Sequence, residues 1–434
     1  MRAETRFNKP IFIAIIIPVA IMSLIDSYQG WRFLFFTLVG VWGISHLWVR
    51  SLAKNILVKR EIRFGWAQVG DRIEERFTLT NFGYFPALHI QVIDHSSISD
   101  LPVNRIAAVG SRETVSWKSM RRCVRRGLFA IGPTSYSTGD PFGFYTLTLH
   151  DESWKSLLVT PPVIPLPNIE ITPGGKAGGG HTRSHAPEPT ISAESVRQYQ
   201  PGESLKSIHW RTSARKQDLY VRKFSSTPAS DWWVYLDLDA DTHYETAAGS
   251  SLEQAIILTA SLANHGLRLH HQVGLAAQSD HPIWLLPASG EYQKLKILHE
   301  LAVVTTGNHS LGDLLTRSRT RSSQATSQII ITARLAASWI ESVYQYIKIG
   351  SYPTVFILEP TSFGLEPFAF EHLSLLTQMG VRVHLIDRQV LEIPEDELGS
   401  QGEWQWLTSA TGKAIPIRKP KDLEWRELDD RPPS

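Results

Sequence analysis

Three aspartates at alternate positions, Asp237, Asp239 and Asp241, stand at the end of the apolar run Trp232 to Leu238. Carboxylates spaced in this way can converge on a hard divalent cation such as Mg2+, each giving an anionic oxygen while water completes the coordination. The carboxyl end of a strand in an open parallel sheet is where such sites form, because the loops diverge there. The same residues also read as an acidic, solvated loop. A second candidate is the stretch Lys206 to Lys223, with six Lys/Arg against one Asp and with Trp210 and Tyr220 interleaved. That composition could track single-stranded nucleic acid by charge and base stacking. Trp210, Ala214, Leu219 and Val221 look instead like core contacts, with basic stems buried and charges in internal ion pairs, so no nucleic-acid partner is expected.

Other chemistry is excluded by spacing. Cys123 lies among Lys118, Arg121, Arg122, Arg125 and Arg126, and a cationic neighbourhood lowers a thiol pKa. No histidine base accompanies it, so it is not assigned as a nucleophile. The glycines of Gly174 to Gly180 lack the order and the strand-to-helix setting of a phosphate-binding loop. His299-Glu300 lacks the second histidine of a metalloprotease helix, and no G-x-S-x-G elbow is present. His181 with His185 and His270 with His271 read as surface pairs. The sequence therefore assigns no catalytic residue and no cofactor beyond Mg2+ at the aspartates.

The elements that carry these residues begin with a greasy N-terminus. Residues 11–25 and 31–49 are two apolar runs, and the second, as a helix, rises roughly 28 Å, enough for a hydrocarbon core. The connection Asp26 to Gly30 has no Lys or Arg, whereas Arg2, Arg6 and Lys9 precede the pair and Arg50, Lys54, Lys59, Arg60 and Arg63 follow it. Basic flanks stay inside, so residues 1–50 are expected to form a transmembrane hairpin in the plasma membrane with both termini cytoplasmic. A signal peptide is not favoured, because no small-residue cleavage site follows the first run.

The chain of 434 residues is 42% apolar, enough for real cores, and 44 Lys/Arg against 42 Asp/Glu leaves a formal charge of +2. No global field forces an anionic partner. The single cysteine excludes an internal disulfide and a C-x-x-C zinc site. Short alternating runs, such as Ile73 to Thr80 and Leu88 to Ile93, predict a small all-β sandwich over 51–170. Residues 171–191 are rich in Gly and Pro and read as a flexible loop. Strand and helix patterns alternate after Trp232, predicting a doubly wound α/β domain within 192–390, with a helix from Leu252 that Gly266 stops. The mixed charges after 391 predict a solvated C-terminal tail.

The block Val196 to Arg215, containing Tyr199, Gly202, Ser204, His209, Trp210, Ala214 and Arg215, and its continuation Leu219 to Phe224, closely resembles the hallmark of the bacterial domain of unknown function 58 family. Arg126 to Pro133 and Asp140-Pro141-Phe142-Gly143 look like its usual lead-in. The resemblance implies two N-terminal spans, a β-rich region, a von Willebrand factor A-like domain, and gene neighbours encoding MoxR-type AAA ATPases and transglutaminase-like proteins. A complete adhesion-type metal site in such a domain has D-x-S-x-S. Here Asp237 matches, Asp239 and Asp241 replace the serines, and Thr332-Ala-Arg334 stands where a further Asp is expected. Arg334 could then pair with Asp237 or Asp239 in place of a metal. Two functions stand at this point: a membrane-tethered, non-enzymatic scaffold that offers its strand-end loops to a protein partner such as a MoxR-type AAA ATPase, and a metal-assisted hydrolase using Asp237, Asp239 and Asp241. The first is preferred, because no general base or positioned nucleophile accompanies the aspartates.

Overall fold

Period-two patterning governs the first third of the chain. β1 (Arg2–Phe7) precedes two apolar helices, α1 (Pro10–Ile25) and α2 (Gln29–Asn55). A run of strands follows: β2 (Ile56–Ile62), β3 (Trp66–Gln68), β4 (Arg72–Asn81), β5 (Ala87–Asp94), β6 (Arg105–Val109), β7 (Thr114–Arg122), β8 (Gly127–Ile131), β9 (Thr134–Gly139), β10 (Tyr145–Asp151) and β11 (Lys155–Thr160). The computed structural model describes residues 2–63, 66–98, 105–166, 169–173, 193–199, 208–224, 231–247, 249–319, 326–368, 370–391, 405–408, 414–418 and 426–427. α2 is long and apolar enough to cross a membrane, and α1 is a shorter apolar helix.

The sheet β1-β10-β9-β5-β6 faces the sheet that holds β2-β4-β7 across one core of Val58, Phe77, Leu79, Ile90, Val92, Tyr136, Leu147 and Leu149. Residues 2–7, read from sequence as a basic flank, are thus an edge strand in register with β10, Arg2 opposite His150 and Phe7 opposite Tyr145. The end of α2 also belongs to the sandwich: Trp48, Val49 and Leu52 join its core, and Trp48 Nε1 donates to the Pro86 carbonyl at 3.0 Å. The second apolar run therefore ends as a packed helix against the sheets.

A second apolar cluster, built on Ile62, Ile73, Cys123, Ile131, Leu157 and Val159, fills the other end of the sandwich. Between the two clusters lies a buried ionic layer. Arg60 and Glu75 sit on the inward parity of β2 and β4, and Arg60 spans both Glu75 (2.7 Å) and Asp94 (2.8 Å). Arg121 reaches the same two carboxylates. Burial would raise the Asp94 carboxyl, but the Arg60 charge, its hydrogen bonds and Arg121 hold it below the usual range.

β12 (Ala193–Gln198), α3 (Trp210–Lys216) and β13 (Tyr220–Phe224) form a separate hairpin with a helix between its strands. The α/β domain follows: β14 (Trp232–Leu236), β15 (Glu245–Thr246), β16 (Gly249–Ser250), α4 (Ser251–Arg268), β17 (Val273–Gln278), β18 (Pro282–Ala288), α5 (Glu291–Val303), α6 (Leu311–Arg319), β19 (Ser327–Thr332), α7 (Ala337–Lys348), β20 (Thr354–Leu358), α8 (Phe370–Gln378), β21 (Arg382–Ile386) and α9 (Arg388–Leu391). The sheet order is β18-β17-β14-β19-β20-β21, parallel except for the edge strand β18. Trp232, Val234 and Leu236 face α4 and α5, while Trp233 and Tyr235 face α6 and α7, so one strand feeds cores on both sides.

Gly266 does not stop α4. The helix runs to Arg268, and a Cβ at Gly266 would lie 2.5 Å from the Trp232 ring, so glycine is needed for close packing of helix on strand. Ile164, with Val163, Leu166, Ile169 and Ile171, packs on the α/β core, so the chain crosses to that domain before residue 170. The modules are also joined by Arg126, whose Nη1 points at the Leu301, Ala302 and Val304 carbonyls (2.8–3.1 Å) and whose Nε donates to Glu253. It satisfies carbonyls that the end of α5 leaves without helical partners.

Of the Gly/Pro-rich loop, residues 174–191 lie outside the described residues. In the region read as a tail, β22 (Gln405–Thr408) pairs with β23 (Ala414–Arg418), and β24 (Arg426–Glu427) adds to the free edge of β2.

Candidate functional site

The sheet reverses its direction of growth between β14 and β19, and the crevice at such a switch point is where open α/β sheets place their sites. Asp237 follows β14 directly and Thr332 ends β19, so the switch point brings them together. Thr332 Oγ1 donates to Asp237 Oδ2 at 2.7 Å, and the Asp239 amide donates to Asp237 Oδ1 at 3.1 Å. Both oxygens of a carboxylate only 2% exposed are thereby engaged. Asp239 Oδ1 accepts from the Asp241 amide in the same way, so the D-x-D-x-D spacing builds two successive side-chain turns. His243 Nε2 donates to the Asp237 carbonyl at 2.8 Å, and its Nδ1 lies 3.1 Å from the Ser251 hydroxyl.

This arrangement does not gather the aspartates around a cation: among the described residues no group of three His, Cys, Asp or Glu side chains could hold a metal. The donor set does not fit Mg2+ either, since the oxygens of Asp237 accept from protein hydroxyl and amide hydrogens that a cation would repel. Arg334 does not replace the metal as expected. Its Nη1 donates at 3.0 Å to the Asp241 backbone carbonyl, and no ion pair of Arg334 with Asp237 or Asp239 forms among the described residues. Beside the switch point, Leu236, Asp237, Gln278, His309 and Leu314 line a shallow cleft with essentially no room even for a water molecule, too little for a small-molecule site.

Burial pushes the Asp237 carboxyl above the usual range, and the Thr332 hydroxyl, the Asp239 amide and the His243 charge pull it down by less. An acid whose folded pKa lies above its unfolded value, about 3.9, costs stability while ionised. That cost is present at pH above the folded pKa and fades as pH falls through it toward about 4. Asp237→Asn removes it and keeps the hydrogen bonds, because an Asn Nδ2 can donate to Thr332 Oγ1, whose own hydrogen then turns to the Arg334 carbonyl. The expected result is a higher Tm than wild type at pH 7 and a gap that closes on acidification; an unchanged or lower Tm at pH 7 would refute the assignment.

Cys123 is inert. Burial and the Asp71 charge push its thiol up to about 12, and Arg121 only partly offsets them. The cationic neighbourhood read from sequence is outweighed by desolvation.

The hallmark block is assembled on the hairpin. The Tyr199 amide donates to the Leu219 carbonyl and the His209 amide to the Tyr220 carbonyl, both at 2.7 Å. His209 Nδ1 caps α3 by accepting from the Thr212 amide, and Ser213 Oγ accepts from the Tyr220 amide. The histidine and serine are structural. Trp210, expected from sequence to be a core contact, is 66% exposed, and Arg211, Ala214, Arg215 and Lys216 are exposed beside it. Gly202 and Ser204 lie outside the described residues.

A family model described as "Protein of unknown function DUF58" matches residues 195–349, which cover this hairpin and the α/β domain through α7. An uncharacterized protein YeaD of Bacillus subtilis (strain 168) is 25% identical over 217 residues, 48% of this chain and 52% of that protein, so the match spans about half the length of that relative. Among solved structures, proximal thread matrix protein 1 from the mussel byssus aligns over 37% of this chain and 42% of its own at 11% identity, with a TM-score of 0.28. The SpRpn10 VWA domain aligns over 37% and 91% at 11% identity, with a TM-score of 0.27. At these scores the fold description rests on the strand order itself. What the sequence comparisons establish is similarity, over the hallmark hairpin and much of the α/β domain, to the DUF58 family of unknown function.

Proposed function

We propose that the chain is a DUF58-family member acting as a membrane-anchored, non-enzymatic interaction protein of the bacterial plasma membrane, with a von Willebrand factor A-like α/β domain on the cytoplasmic side. The observation that carries the interaction role is Trp210, the large aromatic of the hallmark block, standing exposed beside exposed Arg211, Arg215 and Lys216. Trp and Arg are the residues that most often anchor protein interfaces, and single anchors are worth about 2 kcal/mol or more. The docking face is therefore the α3 hairpin instead of the strand-end loops, which the Asp237 turns close. A MoxR-type AAA ATPase is the partner that the resemblance suggests.

The anchoring is supported by connectivity. β1 and β2 lie in the two sheets of one sandwich, and the helices between them leave from and return to it, so both ends of the hairpin meet the same side of any bilayer it crosses. The test is capture of the full chain from membranes in mild detergent. An AAA ATPase is expected to co-purify with wild type, and Trp210→Ala should weaken it roughly thirtyfold, the equivalent of about 2 kcal/mol. Undiminished recovery with Trp210→Ala, or no ATPase with wild type, would overturn the reading.

A further inference from the structure

The apolar part of the helix pair is short for its task. The 16 residues of α1 rise about 24 Å, against a hydrocarbon core of about 30 Å. α2 gives no extra reach, because from Ser45 onward its inner face is buried against the sandwich, with Val49 and Leu52 in the core. Phe12 packs on the Phe144 ring at 4.3 Å, and the His46 ring meets Tyr145 at 5.8 Å. The turn between β9 and β10, Asp140 to Phe144, therefore stands at the root of the hairpin, where the bilayer surface must fall.

That turn is built to present its tip. Asp140 is buried, and its carboxylate accepts from the Phe142 amide at 3.0 Å and from the Tyr145 amide at 2.6 Å. Gly143 takes a φ of +70°, which a side chain rarely adopts. The result leaves Pro141, Phe142 and Gly143 exposed, with Phe142 at 48%. Lys9 lies beside it, its Nζ on the Phe142 carbonyl at 3.3 Å and over the Phe144 ring. An aromatic ring next to a lysine at the end of an apolar helix is the chemistry of the headgroup layer, the ring at the acyl boundary and the ammonium near phosphate.

We propose that the Asp140–Phe144 turn is itself a membrane-contact element, with Phe142 seated in the phospholipid headgroup layer and Lys9 on lipid phosphate, so that the sandwich rides flush on the bilayer. The occupant is phospholipid, on grounds of continuity with the apolar hairpin and of the shortfall of about 6 Å that the turn makes good. This rests on the membrane-anchored reading, and the experiment separates the two.

The full chain is reconstituted in phosphatidylcholine–phosphatidylglycerol vesicles with an environment-sensitive fluorophore on Phe142→Cys. Ile17→Cys in α1 and Leu128→Cys on the exposed face of β8, at the far end of the sandwich, are the controls. Cys123, buried with its thiol pushed up to about 12, does not compete for label. The label at 142 should be quenched by shallow lipid-borne nitroxide and about threefold less by aqueous iodide than the label at 128. Iodide quenching at 142 equal to that at 128 overturns the proposal while lipid quenching at 17 still stands. Protection at 142 from both quenchers overturns it in favour of a second copy of the chain. Loss of lipid quenching at 17 defeats the anchored reading itself, and this proposal with it.

Discussion

Glu75→Ala lowers the stability of the chain by about 3–5 kcal/mol, enough to unfold the sandwich of an ordinary domain, whose total is about 5–15 kcal/mol. Glu75 is 1% exposed and takes both Nε and Nη2 of Arg60 on one oxygen and Arg121 on the other. Removing it leaves two buried guanidiniums sharing Asp94. The cost is the stranded charge, more than the lost attraction. Glu75→Gln keeps the shape and loses the charge, and should fall between wild type and Glu75→Ala in urea midpoint. A Glu75→Ala midpoint within error of wild type would show that the layer is hydrated or dispensable.

The second large effect concerns where the anchor can be cut. A chain beginning at Ile56 should fail to form the sandwich and aggregate, because it loses β1, paired along six residues with β10, and the buried Val49 and Leu52. Large-to-small loss of each such aliphatic side chain costs about 2–5 kcal/mol. Replacing residues 13–40 by a short Gly/Ser linker between Phe12 and Val41 removes most of the exposed apolar surface and keeps both packed ends. That chain should be soluble and show a single cooperative transition by circular dichroism. A well-folded, monomeric chain from Ile56 would contradict the fold as described.

Much of the architecture was legible where one residue pattern dominates. The alternation of β4 and the continuous apolar run of β14 announce a half-buried and a fully buried strand, and the structure has both. The same alternation carries a further signal: with Ile73 and Phe77 pointing inward, Glu75 must point inward as well, and Val58 and Ile62 place Arg60 likewise. Two opposite charges on core parity are the trace of the ionic layer. α6 has a local signal, Ser310 and Asp313 forming a reciprocal cap ahead of Leu314 and Leu315. β1 could not be read from Arg2 to Phe7, because its reason to be a strand is the exposed edge of β10, about 140 residues on.

The site was less legible. Residue types placed Asp237 at a strand end, but the geometry turns D-x-D-x-D into stacked turns, and the partner that fixes Asp237, Thr332, is 95 residues away. The side chain of Arg334 was expected on a carboxylate and goes to a carbonyl, a choice set by loop shape that no local spacing encodes. Trp210 misleads for a related reason: aromatic residues are usually core, and a two-stranded hairpin with a seven-residue helix has too little interior to bury one.

The central claim is that an apolar hairpin holds two folded modules on the inner face of a membrane. Its most direct test is labelling of intact cells with a membrane-impermeant maleimide, using Ser27→Cys at the hairpin tip and Leu128→Cys on the sandwich. The account predicts that position 27 reacts from outside and position 128 reacts only after the cells are opened. Labelling of position 128 in intact cells would contradict it.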